Sequence, residues 1–153
     1  MSNSAPTPST TINLFILEQL PFITPDAYEA EIDGVKIADF IRAEVLALSY
    51  TAHDLAPFAR DLGYVDAEGA VKPPFLWNAS NRAQRMARLD ALFFHLYGQS
   101  TADAEYILST FPIVREHDLK AHGRFITCER ILGYLKAIEA GTLTHDDLPL
   151  STH

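Results

Sequence analysis

The sequence predicts a mainly α fold: a small helical domain of about five helices with a short extended N-terminal segment. Three observations predict it. Apolar residues recur at three- and four-residue intervals in several long stretches, the period that turns one stripe of an α-helix toward a core. Gly63, Gly98 and Gly141 each stand just past such a stretch, where a left-handed residue closes a helix. At 153 residues and 48% hydrophobic content, the chain can bury one sizeable core and is short for two. The organisation expected is a leader over 1–11, a single helical domain over 12–141 and a frayed C-terminal tail over 142–153.

Met1 to Thr11 is Ser, Thr and Pro with little else, too polar to offset the entropy of ordering. Ile12 to Leu20, INLFILEQL, mixes β-branched and long apolar residues before Pro21 and reads as a short strand or extended segment. Its abrupt apolar start points to a natural neighbour upstream. Lys36 to Ala52 places Ile37, Phe40, Ile41, Val45 and Leu48 at helical intervals, with Arg42 and Glu44 assigned to the solvent side. His53, Asp54 and Pro57 break that rhythm, and Asp54 is placed to cap a short helix, DLAPFARDLG, closing at Gly63. Asp66 to Pro74 reads as a surface loop, after which Phe75 and Trp77 return to the core.

Asn78 to Tyr97 is expected to be one long helix, polar at first and ending in the stripe Leu89, Leu92, Phe93, Leu96. Gly98 stops it. Ser100 with Asp103 three residues on is a capping box that opens the next helix, and Pro112, which lacks an amide hydrogen, ends that helix near Phe111. Ile107, Leu108 and Phe111 on this second arm are assigned to the core. REHDLKAHG, from Arg115 to Gly123, reads as a charged linker. A last amphipathic helix runs from about Arg124 to Ala140, with Ile131, Leu132, Leu135 and Ile138 inward.

A net charge of −8 gives long-range repulsion from nucleic acid and anionic membranes, so DNA contact would need a local basic patch or a larger basic assembly. One cysteine, Cys128, excludes an internal disulfide and a cysteine-based zinc cluster, which fits a reducing cytoplasm. No apolar run approaches the ~20 residues that span a bilayer. No membrane partner is expected, and the localisation inferred is cytoplasmic.

Catalytic signatures are missing from the chain. Its glycines never form GxGxxG or GxxxxGK[ST], so no cofactor site is expected within it. Six histidines show no His-Glu-x-x-His or paired Cys/His spacing, and no metal is expected. Lys72-Pro73-Pro74-Phe75 outlines the Asn/Asp/Ser-Pro-Pro-Tyr/Phe loop of amino methyltransferases, but a lysine accepts no hydrogen bond from a target amine. The helix, Gly98 turn and helix also outline a DNA-reading corner. Its second arm from Ser100 to Phe111 has Asp103 and Glu105 and no Lys or Arg, which favours a packing role. The local feature suited to a polyanion is Arg82, Arg85 and Arg88, three apart on one helix, joined by Arg115, Lys120 and Arg124.

The segments NLFILEQLPFITPDAY, LALSYTAHDLAPFARDLGY, PPFLW, RLDALFFHLYGQSTADAEYILSTFPIV and the closing helix resemble, in that order, the C-terminal region of large adenine-specific DNA methyltransferases. Those enzymes belong to type IIG-like and single-chain restriction-modification systems and related phage-defence systems. The resemblance covers about Asn13 to Ala140, and LDALFFHLYG and EYILSTFPIV are its most specific parts. It implies a tail beyond the catalytic domain, associated with target recognition, that helps hold DNA while an adenine is flipped and methylated. It implies S-adenosylmethionine as a cofactor bound upstream, and a methyltransferase or target-recognition domain as the partner, supplied upstream or in trans. After FPIV such enzymes carry a more basic run, where this chain has Arg115-Glu116-His117-Asp118. The expected function is therefore an accessory portion of a restriction-modification methylase without catalytic motifs of its own. A second class stays open: an independent acidic helical protein-interaction module in which two copies could pair.

Overall fold

The structure, a computed structural model, describes residues 21–143. The readings for the leader, for Ile12 to Leu20 and for residues 144–153 lie outside those residues. The described chain is mainly helical. A 3₁₀ turn (Pro25–Glu29) leads into a two-stranded antiparallel hairpin, β1 (Glu31–Ile32) and β2 (Val35–Lys36), that pairs Glu31 with Lys36 and Ile32 with Val35. Helix α1 (Ile37–Ser49) follows, then a second 3₁₀ turn (His53–Leu55) and α2 (Ala56–Asp61). The remaining helices are α3 (Ala79–Leu96), α4 (Thr101–Ser109), α5 (Pro112–His122) and α6 (Ile126–Glu139).

The core forms where small residues let long helices approach. Ala87 and Ala91 of α3 are buried at 3% and 0% exposure, and α6 packs along them with Ile131, Leu135 and Ile138. Ile37, Phe40 and Ala43 of α1 close another side, and Ala104 and Leu108 bring α4 onto the same cluster. Leu92, assigned to the core from its spacing, is 1% exposed there. A smaller cluster sits at the far end of α1, where Leu46, Tyr50 and Ala59 meet Phe58, Tyr64 and Phe75. The Tyr64 ring stacks on Phe75 at 5.0 Å and meets Tyr50 edge-on, while the Tyr50 hydroxyl donates to the Lys72 carbonyl at 3.0 Å. The Pro73-Pro74 loop is thus pinned against α1.

The capping signals act as the residue types require. Gly98 takes φ +66° after α3, a conformation that costs an L side chain about 1–2 kcal/mol. Ser100 Oγ accepts from the Asp103 amide and the Asp103 carboxylate accepts from the Ser100 amide, completing the capping box of α4. Glu139 reaches from the end of α6 to accept from both the Thr101 amide and hydroxyl, so the start of α4 is stapled to α6.

Several expectations are corrected. Residues 115–123 are not a linker: Pro112 occupies the first turn of α5, where its missing amide costs nothing, and Gly123 closes that helix at φ +71°. Proline ends one helix and begins the next. Asp54 does not cap α2, whose N-cap is Leu55 without a side-chain hydrogen bond. Trp77 is 70% exposed and Phe111 51% exposed, because each lies at or just before a helix N-cap rather than on an inward helical stripe. Leu143, expected in the frayed tail over 142–153, is buried at 2%: the amides of Thr142 and Leu143 both donate to the Ala137 carbonyl, a helix-ending turn that folds Leu143 back onto the core.

Candidate functional site

The arginine row of α3 does not form an exposed cationic strip. Positions 85 and 88 fall on the face turned to α1, and opposite them stands Glu44, which is buried completely rather than facing solvent as expected. Arg85 Nη1 donates to Glu44 Oε2 at 3.1 Å and Arg88 Nε donates to Glu44 Oε1 at 2.5 Å. The guanidinium side chains retain 7% and 9% exposure, so neither is offered to a phosphate. Burial pushes the Glu44 carboxyl above its ordinary pKa, with the two guanidiniums pulling the other way, and the same burial lowers Arg85. The three charges neutralise one another in part and fix the register of α1 against α3.

Arg82, one turn earlier, donates to the Leu48 carbonyl at 2.7 Å and lies 3.9 Å from the centre of the Trp77 ring. It seals the end of α1 and holds an otherwise exposed indole by a cation–π contact. Arg124 pairs with Glu129 at 3.4 Å on the surface. Arg115 and Lys120 on α5 are exposed, and their side chains have no hydrogen bond or ion pair among the described residues. The six cations proposed for DNA contact are therefore scattered over α3, α5 and the α5–α6 turn, with two of them engaged in the interior.

A different feature stands out on the other face of α3. Asp90, Phe93, Phe94 and Tyr97 form one wall of an open groove with a volume of about 390 Å³. Ile107 and Leu108 of α4, then Phe111 and Val114 at the start of α5, form the opposite wall, and Phe125, Thr127 and Ile131 supply the floor. That volume lies within the range of roughly 300–1,000 Å³ typical of ligand pockets. The groove is open because α5 stands away from the core. None of its residues is buried, and Ile113, Val114 and Leu119 are 79%, 40% and 42% exposed. A polar tether fastens α5: the Asp118 carboxylate accepts from the Thr127 amide at 2.7 Å, supplying the N-terminal cap that α6 itself lacks.

The groove has little chemistry for bond making. Asp90, at the exposed rim, is the titratable carboxylate in its wall, held above its ordinary pKa by desolvation beside the rings. Cys128 sits on α6 with its thiol pKa raised by burial and by nearby Glu105 and Glu129, which disfavours the nucleophilic thiolate. Among the described residues no group of three or more His, Cys, Asp or Glu side chains is placed to hold a metal ion. No described helix is long and apolar enough to cross a membrane.

Sequence reasoning missed both Glu44 and the groove. Glu44 carried a usable signal, since it lies between Ala43 and Val45 on a helix whose other flanking positions are apolar. The groove had one in Phe111-Pro112-Ile113-Val114, four consecutive residues of low polarity at a helix junction, where two sides cannot both face inward. No family model matches the chain, nor does any curated protein or solved structure.

Proposed function

We propose that this chain is a non-catalytic docking portion of an adenine-specific DNA methyltransferase or restriction-modification assembly, and that it acts by binding the methylase or its target-recognition domain. One observation carries the reading. The two stretches most specific to the resemblance, LDALFFHLYG and EYILSTFPIV, supply both walls of the groove, four residues each. Residues that served only the core would lie in the interior, yet Tyr97, Phe111 and Val114 are 46%, 51% and 40% exposed. Apolar side chains gathered on a surface mark a contact with another protein.

In this reading the S-adenosylmethionine site and the catalytic loop belong to the partner, and DNA is held mainly by it. The direct contribution of this chain to DNA contact comes from the exposed Arg115 and Lys120 of α5, with Arg124 beside them held in a surface pair with Glu129. Engagement of Arg85 and Arg88 by Glu44 supports a supporting role over a gripping one.

The test uses a methylase of the resembled family from which its own C-terminal region has been deleted. Added in trans, this chain is expected to co-elute with the truncated enzyme and raise transfer of labelled methyl groups to adenine. The chain by itself is expected to transfer none. Separate elution together with unchanged methyl transfer at saturating chain would refute the proposal.

A further inference from the structure

We propose that the partner element received by the groove is an apolar helix carrying one lysine or arginine, its cation seated on Asp90; this rests on the docking reading above. A helix of the length of α5 has little intrinsic stability in water, and helices in folded proteins are held chiefly by packing an apolar face. Here α5 buries none of its residues although it carries Ile113, Val114 and Leu119. Its contacts with α6 leave these side chains uncovered, and of the three Val114 lines the groove, so a helix laid beside α5 there would cover Val114, Phe111 and Tyr97 together.

Asp90 then selects the occupant. It lines the groove with Phe93 and Phe94, and its carboxylate has no hydrogen bond or ion pair among the described residues. An apolar segment closing over it would strip water from an unpaired carboxylate, which is costly unless the segment brings a positive charge. With a cation, the same closure forms a charge-assisted hydrogen bond. Charge complementarity separates the other occupants. The chain's own INLFILEQL carries Glu18 and no cation, and a second copy brings a net charge of −8 to a groove already negative.

The experiment uses the full chain and two minimal probes, n-hexylammonium and n-hexanol, followed by nuclear magnetic resonance shifts of Phe93, Tyr97, Ile107 and Val114. The ammonium is expected to bind about tenfold more tightly than the alcohol, the size of one charge-assisted hydrogen bond. Asp90→Asn, shown to be folded by an unchanged melting temperature, is expected to bring the ratio to about one. Equal affinities in the native chain would overturn the cation seat, and an absence of shifts from either probe would overturn the groove as receptor. Dimerisation abolished by Asp90→Lys, or a groove that binds probe only after removal of residues 1–20, would assign the surface to a second copy or to the chain's own segment and overturn the proposal. Capture of the truncated methylase without ammonium preference removes this inference and keeps the docking function; ammonium preference without capture does the reverse.

Discussion

Replacing Glu44 by alanine is the sharpest test of how α1 and α3 hold together. The carboxylate is completely buried and accepts from Arg85 at 3.1 Å and Arg88 at 2.5 Å. Its removal leaves two guanidinium groups, at 7% and 9% exposure, with no counter-charge. Breaking a buried pair from one side typically costs about 3–5 kcal/mol, because the remaining charge stays desolvated. Domains of this size are stable by roughly 5–15 kcal/mol, so the variant should stand near the edge of unfolding. With a urea dependence of about 2 kcal/mol per molar, a decrease of about 4 kcal/mol lowers the midpoint by about 2 M, read by circular dichroism of the helices. The companion variant, Glu44→Leu with Arg85→Met and Arg88→Met, removes all three charges at similar volume. Because replacing buried, paired charges by apolar side chains removes the desolvation cost of all three, this triple variant should be neutral or more stable by about 1–4 kcal/mol. A midpoint for Glu44→Ala within about 0.5 M of the parent would refute the argument, since it would mean that the arginines reach solvent at no cost.

Leu92→Ala should cost about 2–5 kcal/mol, whereas Phe111→Ala should cost under about 1.5 kcal/mol, because Leu92 is 1% exposed and Phe111 51% exposed; paired urea titrations check the order. Ser100→Ala should lower stability by about 1 kcal/mol through removal of the α4 cap. The capping hydrogen bonds hold the Asp103 carboxyl below its ordinary 3.8, so their contribution is present above that pH and is lost as the pH falls through the lower folded value. The melting-temperature gap between parent and Ser100→Ala should therefore narrow on acidification below 3.8, and a gap that widens would contradict the assignment. In the assembly proposed above, this chain bound to the truncated methylase, Arg115→Ala with Lys120→Ala is expected to reduce the salt slope of DNA binding by up to about 0.9 for each phosphate no longer neutralised, measured by fluorescence anisotropy across salt. An unaltered slope would place DNA binding entirely on the partner.

Helix period, the Gly98 stop and the Ser100–Asp103 capping box are local properties, settled within a few residues of backbone, and the sequence determined them by itself: α3 and α4 lie within one or two residues of where their spacing put them. The start of α5 at Pro112 was equally local but ambiguous, since the same missing amide that ends a helix is tolerated in the first turn of another. What only the tertiary structure decided is which face of each helix meets which neighbour. Arg85 and Arg88 share a spacing that any solvent-facing row would have, and they turn inward because Glu44, 41 residues before the first of them, is carried to the same height by α1. Phe111 and Val114 have the composition of a core and line a surface instead, because α5 starts at Pro112 with none of its residues buried. Burial depends on contacts between residues far apart in the chain; periodicity along one segment marks an apolar face, as at Leu92 and Leu135, but not the neighbour that covers it.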